Sequence, residues 1–381
     1  MAEPRPSGRI PELDGLRGTA ILFVLVFHYI TQQGPTPPGT IAHVLQRIVI
    51  MGWSGVDLFF VLSGFLIGGI LMDARSSSSY YRTFYARRFF RIIPIYYLWI
   101  TAYVVAIFLA GGRIQSLSNS GIRPPLDFAV FAHYLFLQNL GFHGFGGLAG
   151  AWFGHLWSLA VEEQFYLLAP LVVRFSSPRK LPAILAAVIM AVPVLRTALV
   201  YWVHASSGLV TVLMPCRADA LALGMLAAAL WRNEGWRDWL EQNGNKLYSL
   251  LALLLVGVAF LWIWAPQSGT AAMQTFGFTW LGMFYVVALL LSLLRTGGPI
   301  ARVMRVGWLR ELGTVSYCVY IIHIVVNVVC HAVLLHATPK ISTPKGAVVT
   351  VAAAFLTYGL AKLSWIVYEN PLLRRGHAFR Y

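Results

Sequence analysis

The sequence has few charged residues for its length. Only 11% of its 381 residues are Asp, Glu, Lys or Arg, whereas a soluble domain carries about 25%. So small a charged fraction cannot cover the surface of a water-soluble protein. The hydrophobic residues, 58% of the chain, form long runs such as LLALLLVGVAFLWIW along its whole length. The composition therefore predicts an all-α, polytopic helix bundle in a membrane and excludes a soluble domain with one anchor.

Cysteine is also scarce. The three cysteines, Cys216, Cys318 and Cys330, fall in apolar runs, and none has a redox or metal-binding spacing. Cys318 and Cys330 lie about 18 Å apart along one predicted helix, which is too far for a disulfide. We therefore expect no bond between these two cysteines and no metal site.

Acidic residues are outnumbered, with 14 Asp and Glu against 29 Lys and Arg. The net charge of +15 does not indicate nucleic-acid binding, because the basic residues form short clusters between apolar runs, as in cytoplasmic loops of membrane proteins. These clusters are 5–9, 75–91, 174–180, 232–246, 295–310 and 374–380. If all are cytoplasmic, an even number of membrane crossings separates each neighbouring pair.

The apolar runs satisfy this rule except between 91 and 174, where there are three. The weakest of them, 126–140, is shorter than the roughly 20 residues that a spanning helix needs, so we predict a re-entrant or surface helix there. Ten spanning helices remain, with a retained first helix and both termini cytoplasmic. The predicted spans are 13–32, 53–73, 92–110, 155–173, 181–203, 211–230, 247–264, 276–294, 312–336 and 347–368. No extramembrane domain fits, so 1–381 is predicted to be a single integral-membrane domain.

Several predicted spans carry ionisable residues, which usually face a cavity when they lie inside a membrane. Arg17 and His28 are eleven residues apart, so they share one helix face and are separated by about 16 Å along the axis. A snorkelling Arg17 and a His28 bonded to another helix are the alternatives. Asp57, near the start of the second span, could orient a histidine that acts as a base, or it could cap its helix.

Two further segments are rich in charge. Arg88 and Arg91 are three residues apart and share a face, an arrangement that suits phosphate recognition or lipid headgroups. In HLWSLAVEEQFYLLAP, His155 and Glu162 share a face, and Glu163 points elsewhere. Two adjacent acids are costly inside a membrane, so we expect them to line a cavity or to pair with an arginine.

Other polar residues have a mixed interpretation. Arg217 and Asp219 point to nearly opposite sides of one helix, so at least one is expected to make an interhelical bond. Ser316, Tyr320 and His323 form a polar stripe that is expected to line a cavity.

Gly64 and Gly68 are expected to pack helices. By depth, the arginines lie near the cytoplasm and the histidines and acids lie further out, which indicates an anionic donor and a deeper proton transfer.

These motifs resemble those of the membrane-bound acyltransferase family 3, whose members O-acylate sugars and other hydroxyl compounds. The similar segments cover 11–375 in the family's order: LDGLRGTAILFVLVFHY, GVDLFFVLSGFLI, RRFFRIIP, HLWSLAVEEQFYLLAP, RADALALG, SYCVYIIH and YENPLLRR. The family's Arg-x10-His motif falls on Arg17 and His28, and its Arg-x-x-Arg motif on Arg88 and Arg91.

The resemblance implies a cytoplasmic acyl-CoA donor, usually acetyl-CoA, with no permanently bound cofactor. Some relatives append an extracytoplasmic hydrolase-like domain, and we expect none here. The chain would complete the transfer itself or use a separate extracytoplasmic partner. The expected acceptor is a hydroxyl of a cell-surface glycan or its lipid-linked precursor at a bacterial inner membrane. The alternatives are a lipophilic small molecule such as a macrolide, or, in another class, a proton-coupled transporter.

The expected mechanism makes His28 the general base, with Asp57 or Glu162 holding its imidazole and Glu163 beside them. An acyl-His28 intermediate is an open alternative. Three arginines are expected to hold the CoA phosphates: Arg17, Arg88 and Arg91. Four residues are expected to line the cavity or contact the acceptor: His155, Arg217, Tyr320 and His323.

Overall fold

A computed structural model describes residues 10–31, 36–110, 128–140 and 153–381, and within these ranges the chain is helical and contains no strand. Ten helical stretches there are long and apolar enough to cross a membrane, which confirms the predicted all-α membrane bundle. They are Pro11–Thr31, Ile41–Asp73, Tyr80–Ala106, Gly154–Phe175, Leu181–Tyr201, Ser207–Arg232, Gly244–Trp264, Met273–Leu294, Ser316–Leu335 and Pro344–His377.

The α-helices are numbered here in chain order. Their bounds are α1 Pro11–Val26, α2 Ile41–Val49, α3 Gly55–Asp73, α4 Tyr80–Ala110, α5 Phe128–Tyr134, α6 Trp157–Phe175, α7 Leu181–Tyr201, α8 Ser207–Val212, α9 Met214–Arg232, α10 Glu234–Gln242, α11 Gly244–Trp264, α12 Phe278–Leu294, α13 Pro299–Met304, α14 Gly307–Thr314, α15 Ser316–Leu335, α16 Pro344–Ser364 and α17 Asn370–His377. Turns of π-helix at Phe27–Thr31, Met273–Gly277 and Trp365–Glu369 adjoin α1, α12 and α16.

The weak apolar run at 126–140 contains only the short helix α5 and a 3-10 turn at Gln138–Leu140, with 126 and 127 outside the described residues. A seven-residue helix is about 10 Å long, a third of the hydrocarbon thickness. Phe131 and Leu135 are exposed, whereas His133 is buried. The described part of this run is therefore too short to span, as the sequence predicts.

The five basic clusters within the described residues lie at one end of the bundle, called the basic end below, and the cluster 5–9 lies outside those residues. Side chains join segments that are far apart in the sequence, at the ends of their helices. These contacts are Arg232–Asp73, Arg305–Glu12, Arg75–Ser176 and Ser79–Arg380. An even number of crossings between clusters requires this shared end, so the contacts agree with the predicted arrangement.

Helix α3 lies at the centre of the bundle and packs closely on α9 through glycines. A Cβ atom added to Gly64 would overlap the carbonyl oxygen of Leu221, and one added to Gly224 would overlap that of Val61. Gly68 faces the same helix. The backbones can approach this closely only because these residues lack side chains, which confirms the predicted packing role of Gly64 and Gly68.

Two buried ion pairs tie α9 to its neighbours. Arg217 pairs with Asp57 of α3, and Arg196 of α7 donates to Asp219 at 2.9 Å. All four side chains are almost completely buried. Both Arg217 and Asp219 therefore make interhelical bonds, where the sequence required at least one.

Arg196 has further partners that complete its hydrogen bonding. It also donates to the backbone oxygens of Gln274 and Cys216, at 2.5 and 2.7 Å, and to the hydroxyl of Thr279 at 2.6 Å. The sequence did not single out Arg196, because it stands alone in an apolar run and its partners lie on other helices.

Candidate active site

One cavity runs along α3 through the middle of the bundle. Its lining on α3 extends from Val56 to Ile70, which corresponds to about 21 Å of helix. Ile70 lies one turn from the basic end, and Val56 lies at the opposite end of α3. Helices α1, α4, α6 and α15 supply the remaining polar lining, which includes Arg17, Arg88, Arg91, Ser158, Glu162, Tyr166, Ser316, Tyr317 and Tyr320.

Three arginines line the half of the cavity nearer the basic end. Arg88 and Arg91 project from α4, which begins at Tyr80, well before the predicted span. Within the described residues, neither guanidinium makes a hydrogen bond or an ion pair, and both are half-buried. Arg17 lines the same region and contacts Asp14 at 3.1 Å. The arrangement leaves cationic groups facing an open volume, where an anion can bind.

Glu162 faces the same cavity, but it does not hold an imidazole. Its carboxylate accepts a hydrogen bond from Tyr166 at 3.3 Å, and the Tyr166 hydroxyl lies 2.7 Å from that of Ser63. Glu162 is seven residues beyond His155, so it lies about 10 Å nearer the basic end. The prediction that Glu162 orients the histidine is therefore wrong.

Glu163 is not among the residues that line the cavity. It lies within electrostatic range of Glu162 and Arg88. Neither acid pairs with Arg217, whose partner is Asp57. The two acids thus lower the positive potential around the cavity arginines, and neither acid forms a direct ion pair with Arg88 or Arg91.

At the far end of the cavity three histidines form a cluster. His28 lies in the π-helical turn after α1, a type of distortion that is frequent at functional sites. Its ring centroid is 4.8 Å from that of His323 and 6.0 Å from that of His155, and the latter two are 4.9 Å apart. His28 Nδ1 is 3.1 Å from His323 Nε2.

Tyr320 connects this cluster to the cavity. Its backbone oxygen accepts from His155 Nε2 at 2.8 Å and from His323 Nδ1 at 2.7 Å. Its hydroxyl donates to the backbone oxygen of His155 at 2.7 Å and is 2.5 Å from the Ser158 hydroxyl. Since Ser158 and Tyr320 line the cavity, the histidine cluster lies directly behind its far end.

Ser158 and Tyr166 are site residues that sequence reasoning missed. Each follows a recognised polar residue by one helical turn, Ser158 after His155 and Tyr166 after Glu162. That spacing places Ser158 on the same helix face as His155, and Tyr166 on the same face as Glu162. The spacing could therefore have identified both residues from the sequence.

Asp57 has a different role from the one expected. Within the described residues its carboxylate contacts Arg217 and no histidine. The Arg217 guanidinium lies 3.7 Å from the ring centroid of Phe278, and neither Asp57 nor Arg217 lines the cavity. The predictions that Asp57 holds an imidazole and that Arg217 lines the cavity are wrong, because the two residues neutralise each other between α3 and α9.

His155 and His323 were also expected to line the cavity, and they lie just behind its wall instead. Both are buried, and both are bonded to Tyr320. No group of three or more His, Cys, Asp or Glu side chains in the described ranges is arranged to hold a metal ion. In the cluster, His28 and His323 contact each other directly, and His155 bonds to the Tyr320 backbone oxygen. The cavity lies beside the cluster and is lined by arginines at its other end.

The chain is similar to known bacterial O-acetyltransferases over 96% of its length. It is 25% identical over 376 residues to the peptidoglycan O-acetyltransferase OatA of Listeria monocytogenes and 26% identical over 391 residues to the O-acetyltransferase OatA of Staphylococcus aureus. It is 26% identical over 383 residues to the putative peptidoglycan O-acetyltransferase YrhL of Bacillus subtilis. The matches cover 56%, 58% and 55% of these relatives, so the chain spans little more than half of their length.

No solved structure matches the chain. The model of the family Acyl_transf_3, described as an acyltransferase domain, matches residues 10–360. That range includes the cavity, its three arginines and all three clustered histidines. The chain therefore belongs to the acyltransferase family 3.

Proposed function

We propose that this protein is a membrane O-acyltransferase. It moves an acyl group, acetyl in the first instance, from cytoplasmic acyl-CoA to a hydroxyl of a cell-surface glycan or its lipid-linked precursor, in a bacterial cytoplasmic membrane. One observation carries the proposal: the cavity is lined by arginines at one end and by Ser158 and Tyr320 at the other, where the Tyr320 hydroxyl bonds to the backbone of His155 in the histidine cluster.

The arginine-lined end of the cavity suits a polyanionic donor. Guanidinium groups form paired hydrogen bonds with phosphate oxygens, and Arg88 and Arg91 have no competing carboxylate partner among the described residues. The lining along α3 corresponds to about 21 Å, comparable to the reach of an extended pantetheine arm. Phosphates held at the basic end would thus place the thioester near Ser158 and Tyr320.

The reaction follows from the groups at that end. His28 takes the proton of the acceptor hydroxyl while the oxygen attacks the thioester carbonyl carbon. A C–O bond forms, the C–S bond breaks, and the CoA sulfur leaves with the proton that His28 returns. The Ser158 hydroxyl can turn its proton from the Tyr320 oxygen to the thioester carbonyl oxygen as negative charge develops there, while Tyr320 keeps its hydrogen bond to His155.

The acceptor class is proposed from the relatives. Two of the similar proteins are named as peptidoglycan O-acetyltransferases, one of them putative. Peptidoglycan is a cell-surface polymer with free sugar hydroxyls, so the glycan is the first acceptor to test. Peptidoglycan fragments and lipid-linked precursors would be offered separately.

The test is transfer from radiolabelled acetyl-CoA by the purified protein in lipid nanodiscs, with a glycan acceptor present. We expect label on the acceptor and an equal amount of released CoA. His28→Ala should lower turnover by roughly 100-fold or more while CoA still binds. His331→Gln is the matched control, since His331 is a buried histidine that bonds to Thr350 and not to the cluster.

The outcomes separate the parts of the proposal. Unchanged turnover in His28→Ala would remove the base assignment, and failure of the wild-type protein to bind CoA would remove the donor. Acid quenching of a single turnover distinguishes direct transfer from an acyl-His28 intermediate. Direct transfer leaves the protein unlabelled, whereas the intermediate leaves label on a peptide that contains His28.

A further inference from the structure

The hydrogen bonds of His323 fix the position of its proton. Its Nδ1 atom lies 2.7 Å from the backbone oxygen of Tyr320 and 3.1 Å from that of Val319. Carbonyl oxygens can only accept hydrogen bonds, so Nδ1 must carry the proton. A neutral imidazole then has its lone pair on the other nitrogen. His323 Nε2 is therefore an acceptor.

That acceptor and a backbone oxygen together determine the tautomer of His28. His28 Nδ1 lies 3.1 Å from His323 Nε2 and 2.9 Å from the backbone oxygen of Val24. Both neighbours are acceptors, so Nδ1 of His28 must be the protonated nitrogen. Its Nε2 atom is left with a lone pair and makes no hydrogen bond within the described residues. This is the atom that a general base uses.

The surrounding contacts hold the two histidines in register. The Tyr29 hydroxyl donates to the backbone oxygen of His323 at 2.8 Å and lies 2.9 Å from the Thr357 hydroxyl. Tyr29 adjoins His28 in the same π-helical turn. The turn is thus attached to α15 both through the imidazole pair and through the backbone. His323 itself is fully buried.

We propose that His323 is a positioning residue, which acts together with the Val24 backbone oxygen to keep His28 in the Nδ1–H tautomer and thereby presents Nε2 to the acceptor hydroxyl. The proposal deepens the acyl transfer proposed above and rests on it. When His28 takes a proton on Nε2, both of its nitrogens become donors, and the Nδ1–H bond to the His323 lone pair stabilises the imidazolium. In triad enzymes a carboxylate has this role; here a neutral imidazole has it, because Asp57 is bonded to Arg217.

The test combines spectroscopy with turnover. Nitrogen-15 NMR of histidine-labelled protein in nanodiscs distinguishes protonated from unprotonated ring nitrogens, and the His28 signals are assigned by their loss in His28→Ala. We expect wild-type His28 to be protonated on Nδ1 and unprotonated on Nε2. His323→Phe leaves the Val24 oxygen as the acceptor at Nδ1, so it should raise the fraction of His28 in the other tautomer. Turnover should fall roughly 10-fold to 100-fold, the equivalent of one hydrogen bond to the His28 imidazolium, with CoA binding within twofold of wild type.

Two further variants separate positioning from simple loss of structure. His323→Gln places an amide oxygen within reach of His28 Nδ1–H, so it should restore the wild-type tautomer and most of the turnover. His331→Gln changes a buried histidine on the same helix, and it should leave the His28 spectrum and the turnover within twofold of wild type.

The result that overturns the proposal is a His28 ring that is protonated on Nε2 in the wild type, or one whose tautomer is the same in His323→Phe. Failure of the proposed function is a separate outcome. In that case the wild-type protein would transfer no acyl group, while the His28 spectra would still decide whether His323 fixes the tautomer.

Discussion

Two pairs of arginines lie inside the helix bundle and differ in their partners. Arg196 and Arg217 are fully buried, and each donates to a carboxylate on another helix. Arg88 and Arg91 line the cavity and make no ion pair with any described residue. All four lie in segments apolar enough to span a membrane.

This difference in partners distinguishes the arginines that stabilise the fold from the arginines that line the candidate active site. A charge removed from water needs an opposite charge and hydrogen bonds beside it, or it destabilises the protein. Arg196 has both, whereas Arg217 has the Asp57 carboxylate but leaves its Nε and Nη1 atoms without a hydrogen bond among the described residues. Together the two arginines join α7, α9 and α3. Arg88 and Arg91 can remain charged because the cavity admits water or an anionic ligand. The presence of an intramembrane arginine therefore does not indicate its role, whereas its partners do.

Arg217→Met should give the largest change in stability, because it leaves the Asp57 carboxylate buried without a partner. Removing one member of a buried ion pair costs about 3–5 kcal/mol. Thermal unfolding in nanodiscs would measure the loss, as a clearly lower Tm or a lower yield of folded protein.

The double variant Asp57→Asn with Arg217→Met is the control for this cost. If the unpaired charge is responsible, the double variant should recover most of the stability lost in Arg217→Met. Wild-type stability in the single variant would contradict the scaffold role of the pair.

Arg88→Met should affect donor binding and not stability, in contrast to Arg217→Met. We expect weaker donor binding and an unchanged or higher Tm. A hydrogen bond to a charged group contributes about 1.5–3 kcal/mol, so the Kd for CoA should rise roughly 10-fold to 100-fold. Isothermal titration calorimetry with CoA would measure it.

Arg310→Met is the matched control for that titration. Arg310 is an exposed arginine of the same basic end, and its replacement should change the Kd by less than twofold. Equal losses in the two variants would show that overall basic charge, and not the unpaired cavity arginines, determines donor binding.

Glu311→Gln should give the smallest change. Glu311 accepts a hydrogen bond from Lys362 on the exposed surface, and that bond lowers the pKa of Glu311 below its ordinary value. An exposed pair stabilises by less than about 1 kcal/mol. Because the folded-state pKa is lowered, this stabilisation is present at neutral pH and disappears as the pH falls through that value.

The measurement is the difference in Tm between wild type and Glu311→Gln at neutral pH and at a pH below the Glu311 pKa. We expect a small difference that vanishes at the lower pH. A loss as large as that of Arg217→Met would mean that exposure does not separate weak pairs from strong ones in this protein.

The sequence predicted the features that are determined within a single helix. Apolar runs predicted the spans, and the three-residue spacing of Arg88 and Arg91 predicted their shared face. It could not predict that Asp57 meets Arg217, 160 residues away, because periodicity gives a face and a depth but not the helix opposite. For the same reason Glu162 was expected beside His28, where the structure places His323.

A single cavity leads from Arg88 and Arg91 to Ser158 and Tyr320, beside the histidine cluster. A photoreactive acyl-CoA, with its diazirine at the acyl end, tests this most directly, because the labelled residues are identified by mass spectrometry. We expect labels near Ser158, Tyr320 or His28 that are lost with excess CoA and reduced in Arg88→Met. Labelling confined to the basic end or the lipid-facing surface, unaffected by Arg88→Met, would contradict it.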